Sequence, residues 1–256
     1  MLLAIDVGNT QTLIGLYEKD KPELTDHWRL ATHDERTRDE YALMVQEFLG
    51  FGGFDLDDVS GVAISSVVPK VTFALRAMCT KYIGTDPVVI EPGVRTGMPI
   101  RYDDPKEVGA DRIANAIGAF DLFGGPTIVV DFGTATTFDV VSAKGEYLGG
   151  AIVPGVEVSL DALFGKAAGL RRVELAKPRS VIGRSTAEAI QAGVLYGTAA
   201  QVDGICRQII DEIGPCTVVA TGGLASIVRP YSKSIAHMEP WLTLHGLRMV
   251  YLRNRG

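Results

Sequence analysis

The sequence predicts an α/β protein made of two related domains, and three observations carry that expectation. Residues 6–10 read Asp6-Val7-Gly8-Asn9-Thr10 at the end of an apolar run. Residues 131–137 read Asp131-Phe132-Gly133-Thr134-Ala135-Thr136-Thr137, again after an apolar run, Thr127-Ile128-Val129-Val130. Short apolar runs of strand character alternate with segments of helical spacing through the whole chain. One such motif is an ordinary hairpin with Asp-Gly-Asn turn chemistry. Two of them, one near the start of each half, point to two related domains facing each other across a phosphate.

In chain order, residues 2–5 are a buried-strand candidate, and 12–18 follow after the tight turn as its hairpin partner. Residues 24–30 offer a third strand. From Thr37 to Leu49 the apolar residues Tyr41, Val45, Phe48 and Leu49 fall on one helical face, and Gly50-Phe51-Gly52-Gly53 ends it. Val62–Ile64 reads as a strand. Pro69 suits a first helical turn, with the helix running over 70–82, and 88–90 is a further short strand. Residues 91–108 hold Pro92, Gly93, Gly97, Pro99 and Pro105, a long irregular loop of the kind that is usually functional or mobile. A helix follows from Gly109 to Phe123.

The second half repeats the opening. Strands at 127–131, 134–141 and 146–153 form a meander, Pro154-Gly155 leads into a helix to Phe164, and 165–184 reads as a basic loop. A long helix covers 186–212, a strand at 217–220 ends in Thr221-Gly222-Gly223, and 246–252 closes the chain as a helix. Gly124-Gly125-Pro126 marks the junction, giving domains 1–120 and 121–256.

The chain has 256 residues, 46% hydrophobic and 22% charged, with a net charge of −6. Such a composition is that of a globular protein. The acidic balance, without a Lys/Arg-rich run, argues against nucleic acid as a partner. A chain of that charge needs backbone N–H groups and a metal ion to handle phosphate. Cys79, Cys206 and Cys216 lack metal-ligand spacing, and an odd, sparse set suggests reduced thiols in the cytoplasm. His27, His33, His237 and His245 form no zinc pattern. No run approaches membrane-spanning length, and Asp6 interrupts the first apolar stretch, so neither a membrane span nor a signal peptide is expected. Gly165-Lys166 fails as a Walker A loop, and Gly50–Gly53 fails as a dinucleotide fingerprint because Asp55 takes the last glycine's place.

The two Asp motifs have a chemistry of their own. Gly8 lets the backbone approach a phosphate with no Cβ in the way. The N–H groups of residues 8–13 can then cradle phosphate, and Asp6 can hold Mg²⁺ directly or through water. Asp139 lies on the strand after the second motif and reads as structural.

Asp6-Val7-Gly8-Asn9-Thr10, Gly109-Ala110-Asp111-Arg112, Asp131–Thr137, Gly149-Gly150-Ala151-Ile152-Val153-Pro154-Gly155 and Thr221-Gly222-Gly223 occur in that order. The set resembles the type III pantothenate kinases, of the superfamily of acetate and sugar kinases, Hsp70 and actin, over essentially the whole chain. The resemblance implies two ribonuclease-H-like domains with the active site in the cleft between them. It implies transfer of the ATP γ-phosphoryl group to pantothenate, giving 4'-phosphopantothenate in the first step of coenzyme A synthesis. It also implies a homodimer, Mg²⁺ or a similar divalent cation, and a monovalent cation, K⁺ or NH₄⁺.

Carried over by the same resemblance, ATP binding falls to Asp6, Val7, Gly8, Asn9, Thr10, Gln11, Thr12, Leu13 and Thr134. Asp131 joins Asp6 at the cations. Asp111 is the expected catalytic base, although an Asp in a first helical turn is also a common dipole-favoured residue. Pantothenate falls to Tyr102, Gly109, Ala110, Asp111, Arg112 and Thr186, with the donor fork of Arg112 suited to polar groups. Thr186 or Ser185 also suits a helix cap, and the resemblance places this helix across the dimer, so that Thr186 serves the neighbouring subunit. Thr221-Gly222-Gly223 is the turn against which adenosine lies in the superfamily. The alternative function is that of an accessory regulator of gene expression, which some relatives resemble.

Overall fold

The computed structural model describes residues 1–19, 21–167 and 169–255; Ala168, inside the expected basic loop, lies outside them. In chain order the chain forms β1 (Leu2–Val7), β2 (Gln11–Tyr17), β3 (Asp26–Ala31), α1 (Arg38–Phe51), β4 (Gly61–Ser66), α2 (Pro69–Met78), β5 (Val88–Val89) and α3 (Ala110–Phe123). There follow β6 (Thr127–Phe132), β7 (Ala135–Val141), β8 (Tyr147–Pro154), α4 (Val156–Lys166), α5 (Thr186–Ile213), β9 (Thr217–Gly222), α6 (Ala225–Val228), β10 (His237–Met238) and α7 (Leu242–Asn254).

Two compact units result: Met1–Leu122 with Trp241–Gly256, and Phe123–Pro240. The division expected at 120/121 therefore falls two residues later, and the last helix belongs to the first unit rather than to the C-terminal half. The reason is packing: α7 lies against β1, β4 and β5.

Each unit holds one five-stranded sheet, in the orders β3-β2-β1-β4-β5 and β10-β9-β6-β7-β8. The two orders are one topology used twice. In each, three antiparallel strands form a meander, a fourth strand pairs in parallel with its first strand, and a fifth pairs in parallel with the fourth.

In the first unit the alternation of β1 sorts its side chains. Leu3, Ile5 and Val7 share a core with Tyr41, Val45 and Leu49 of α1 and Val71, Leu75 and Met78 of α2. Thr37 starts α1 with a capping box to Glu40, and Pro69 sits in the first turn of α2.

The opposite face carries Leu2, Ala4 and Asp6, and α7 covers it. That cover needs small residues. A Cβ on Gly15 would stand 2.6 Å from Leu244 Cδ1, and one on Gly61 would overlap the Tyr251 hydroxyl. α3 packs on α7 equally closely, since a Cβ on Gly246 would collide with the Ala114 carbonyl and one on Gly118 would lie 2.7 Å from the Leu242 carbonyl oxygen. At the buried contact Thr243 donates to Asn115 Oδ1 at 2.7 Å.

The helix expected over 246–252 thus begins at Leu242. Gly246, a weak helix former, is mid-helix because only glycine fits against Ala114.

In the second unit Ile128, Val130, Phe132 and Phe138 pack with Ala199, Val202 and Cys206 of α5. β10, absent from the sequence expectation, and α6, the short helix after Thr221-Gly222-Gly223, are held by β9 and α5 rather than by patterns of their own.

Candidate active site

The first Asp hairpin closes through the Gly8 N–H, which donates to the Gln11 carbonyl at 3.0 Å, leaving Asn9 and Thr10 exposed at its tip. A residue that the sequence did not single out holds it. The Thr32 hydroxyl donates to the Gly8 carbonyl at 2.8 Å, its N–H donates to the Thr10 carbonyl at 2.9 Å, and its Oγ1 lies 2.8 Å from Thr12 Oγ1. A hydroxyl has one proton, so with Thr32 donating to Gly8, Thr12 donates to Thr32. The Thr12 side chain is fully buried and spends its proton inside the hairpin. Of the expected nucleotide-binding residues, Val7 is buried, Asp6, Gly8 and Leu13 are half-buried, and Gln11 is exposed and accepts from Arg29 at 3.0 Å.

The second hairpin is tighter by one residue. Phe132 pairs with Thr136 where Val7 pairs with Thr12, and the Gly133 N–H donates to the Ala135 carbonyl at 3.1 Å. Thr134 is exposed at its tip.

Two glycines from elsewhere shape the second hairpin. Gly155 donates its N–H to the Thr134 carbonyl at 3.1 Å, and a Cβ there would run into the carbonyls of Gly133 and Thr134. Gly222 has φ +90, and its Cβ would collide with Asp131 Oδ1. The Thr221-Gly222-Gly223 turn therefore makes room for the Asp131 carboxylate, a role that its motif alone did not reveal. Asp139 is fully buried and accepts from the Tyr147 hydroxyl at 2.7 Å and from the Thr137 hydroxyl at 2.9 Å. It is a structural carboxylate, as expected.

Gly109, Ala110, Asp111 and Arg112 form the first turn of α3, where Ile113 N–H donates to the Gly109 carbonyl at 3.1 Å. The Asp111 carboxylate curls back over that turn. Its Oδ1 accepts from the Arg112 N–H at 2.8 Å and lies 2.5 Å from where a Gly109 Cβ would be. Arg112 is 7% exposed, so its charge is held inside the unit. α3 packs on α7, the helix that covers the Asp6 face of the sheet, so Asp6 and the Asp111 helix belong to one side of the first unit.

Tyr102 is half-buried in the long loop before α3. That loop is pinned by the end of α7. Asn254 Nδ2 donates to the Arg95 carbonyl at 2.9 Å, and Arg253 Nη1 donates to the Thr96 carbonyl at 2.6 Å. Thr186 is exposed and opens α5, while Ser185 is the cap, accepting from the Glu188 N–H at 3.2 Å.

Among the described residues no group of three or more His, Cys, Asp or Glu side chains is placed to hold a metal ion. A Mg²⁺ carried by phosphates does not need such a group, because it binds through one or two carboxylates, water and the phosphate oxygens. Asp131, in the space that Gly222 leaves open, fits that requirement, as does Asp6 beside the first hairpin. Among the described residues no helix is long and apolar enough to cross a membrane. Burial pushes the Cys79 and Cys206 thiols up to about 12, so both are unreactive near neutrality.

The fold is also found in solved structures of low sequence identity. Component A of (R)-2-hydroxyglutaryl-CoA dehydratase from Acidaminococcus fermentans matches with a TM-score of 0.59 at 15% identity, covering 98% of this chain and 96% of that one. The ROK hexokinase from Thermus thermophilus matches with a TM-score of 0.53 at 14% identity, covering 98% and 99%. These likenesses place the two units in the actin-like ATPase and sugar kinase fold.

At the sequence level, the type III pantothenate kinase of Streptomyces coelicolor is 54% identical over 263 aligned positions, which cover 99% of this chain and 98% of that protein. The family model for type III pantothenate kinase matches residues 2–208. With the duplicated Asp hairpins and the Gly109–Arg112 turn in place, the chain belongs to the type III pantothenate kinase family.

Proposed function

We propose that this chain transfers the γ-phosphoryl group of ATP to the primary hydroxyl of pantothenate, the first step of coenzyme A synthesis. The observation that carries the reading is the Asp hairpin repeated at the same place in two sheets of one topology, with an Asp-bearing helical turn in the first unit. A pure regulator of gene expression has no use for that third carboxylate, and the family match favours the enzyme.

In this mechanism the exposed tip of the first hairpin, Asn9 to Gln11, and Thr134 hold the phosphate chain, with Val7 as the base of that hairpin and the Gly8 N–H, already spent on the Gln11 carbonyl, closing it. Asp6 and Asp131 hold the cations. A divalent cation bound there supplies charge neutralisation on the transferred group. Gly109, Ala110, Arg112 and Tyr102 orient pantothenate, and Thr186 of the neighbouring subunit completes that site. Asp111, with Oδ1 fixed by the Arg112 N–H, accepts the hydroxyl proton on Oδ2. The hydroxyl oxygen attacks the γ-phosphorus in line, and the β–γ bridging oxygen leaves with ADP.

A homodimer fits the apolar surface of the second unit. Leu148 and Ile152 on the edge strand β8, and Val158 and Leu163 on α4, are exposed; sedimentation velocity reads the assembly. We assign the enzyme to the cytoplasm from its free cysteines, which fractionation of the cells tests, and K⁺ or NH₄⁺ as its monovalent ion, which exchange for Na⁺ in the assay tests.

The central test is Asp111→Asn in a coupled ADP-release assay with pantothenate. Removing a general base costs about 10²–10⁴-fold in turnover, with the circular dichroism spectrum unchanged. A variant that keeps more than roughly a tenth of the activity places the base elsewhere.

A further inference from the structure

Beside Asp6, in parallel register on β4, stands Ser65. Parallel neighbours in register share one face of a pleated sheet, so Ser65 lies on the face that carries Asp6 and that α7 covers. On β1 and β4 the rest of that face carries no polar side chain: Ala4 pairs with Ala63, and Leu2 with Gly61. Ser65 is fully buried, and its hydroxyl has no hydrogen-bond partner among the described residues. A buried hydroxyl without a partner costs stability, and an alanine, as at position 63, would fill the place without that cost.

The second unit repeats the arrangement. Thr221 stands beside Asp131 in the same parallel register and is 2% exposed. Both carboxylates that the proposed mechanism gives to the cations thus have a buried hydroxyl as their strand neighbour.

We propose that Ser65 is a positioning residue for the hydrated cation, bonding through its hydroxyl to a water ligand of the ion that Asp6 holds. The inference rests on the reading of Asp6 as a cation ligand. Mg²⁺ keeps several of its waters when bound, and they need partners. Outer-shell partners of this kind change metal affinity by about 10–100-fold when removed. Ser65 does not touch substrate; it sets where the ion and the triphosphate settle.

The test is a Mg²⁺ titration of binding of a fluorescent ATP analogue to the full chain without pantothenate, so that no turnover enters the readout. For Ser65→Ala the half-saturating Mg²⁺ concentration rises about 10-fold. Binding in excess EDTA stays at the wild-type level, and Tm is unchanged or higher. Ser65→Thr, which keeps the hydroxyl and copies the second unit, keeps the wild-type Mg²⁺ requirement.

A Ser65→Ala variant with a wild-type Mg²⁺ requirement overturns the proposal. So does one that is unfolded, or that loses binding equally with and without Mg²⁺, since the hydroxyl then serves packing. Asp6→Asn separates the two layers of the argument. If its Mg²⁺ response is that of the wild type, the cation role of Asp6 itself fails, whatever Ser65 does.

Discussion

At the scale of single residues, the site depends on atoms that are missing as much as on those present. Gly109 has ordinary backbone angles, so its use is spatial: the Asp111 carboxylate occupies the place of its Cβ. Gly109→Ala therefore leaves the helix start acceptable and displaces the carboxylate. The expected outcome is a kcat lower by about 10²-fold, the cost of misplacing a reacting group by an ångström, with Tm within a few degrees of wild type; steady-state kinetics beside a thermal melt read both. An Ala variant with wild-type kcat would show that the curled position of Asp111 is unrelated to catalysis. Gly222 serves Asp131 by the same logic, with the addition of a backbone angle that glycine tolerates best.

At the scale of elements, polar side chains tie short pieces to long ones. Asp203 on α5 accepts from the Ser232 hydroxyl at 2.6 Å and from the N–H groups of Lys233 and Ser234, both at 3.0 Å. Burial pushes this carboxyl up, but the hydrogen bonds from Ser232, Lys233 and Ser234 outweigh it and hold the group below its usual value. A carboxyl held lower in the native than in the unfolded chain adds stability that is fully present above its unfolded value, about 4. That stability is lost as pH falls through the native value. Asp203→Asn should thus destabilise the protein by about 1–2 kcal/mol at neutral pH, the worth of a charge-assisted hydrogen bond over a neutral one. The gap between variant and wild type closes as pH falls below about 4. Urea unfolding of both proteins at several pH values measures it, and a gap that is independent of pH would remove the charge from the explanation.

At the scale of the whole molecule, the chain uses one topology twice and then closes the first unit with its last segment. Leu242, Leu244, Leu247 and Val250 of α7 are each 0% exposed. Burying such a side chain is worth about 1.5–3 kcal/mol, so the four together approach the 5–15 kcal/mol that typically separates folded from unfolded domains. Deleting residues 241–256 should therefore unfold the first unit, although its strands and other helices remain encoded. Limited proteolysis of the truncated chain should degrade residues 1–122 and leave a fragment close to 123–240. Equal resistance of both units would show that α7 is dispensable to the first.

Much of this was legible in the sequence because local patterns and local structure coincide there. The long helix expected over 186–212 is found at Thr186–Ile213, and the strand over 127–131 at Thr127–Phe132. Apolar periodicity and caps act within a few residues, and so they are visible in a few residues. β10 was not legible because its two residues are a strand only by pairing with β9. Thr32 was not legible because nothing in a threonine at a strand end announces a carbonyl 24 residues earlier as its partner. The long loop at 91–108 reads as irregular from its glycines and prolines, and its anchoring by Arg253 and Asn254 appears only when the chain's end is brought beside it.

The sequence by itself determined the repeated strand–Asp–turn–strand units and the order of the motifs that identify the family, because each is a contiguous run whose turn chemistry and polarity are set locally. Only the tertiary structure decided which unit owns the last helix, which hydroxyl clamps the first hairpin, which glycine clears space for Asp131 and which serine lies buried beside Asp6. Those are contacts between distant parts of the chain, fixed by how closely two backbones can approach, and no short stretch of sequence carries that distance.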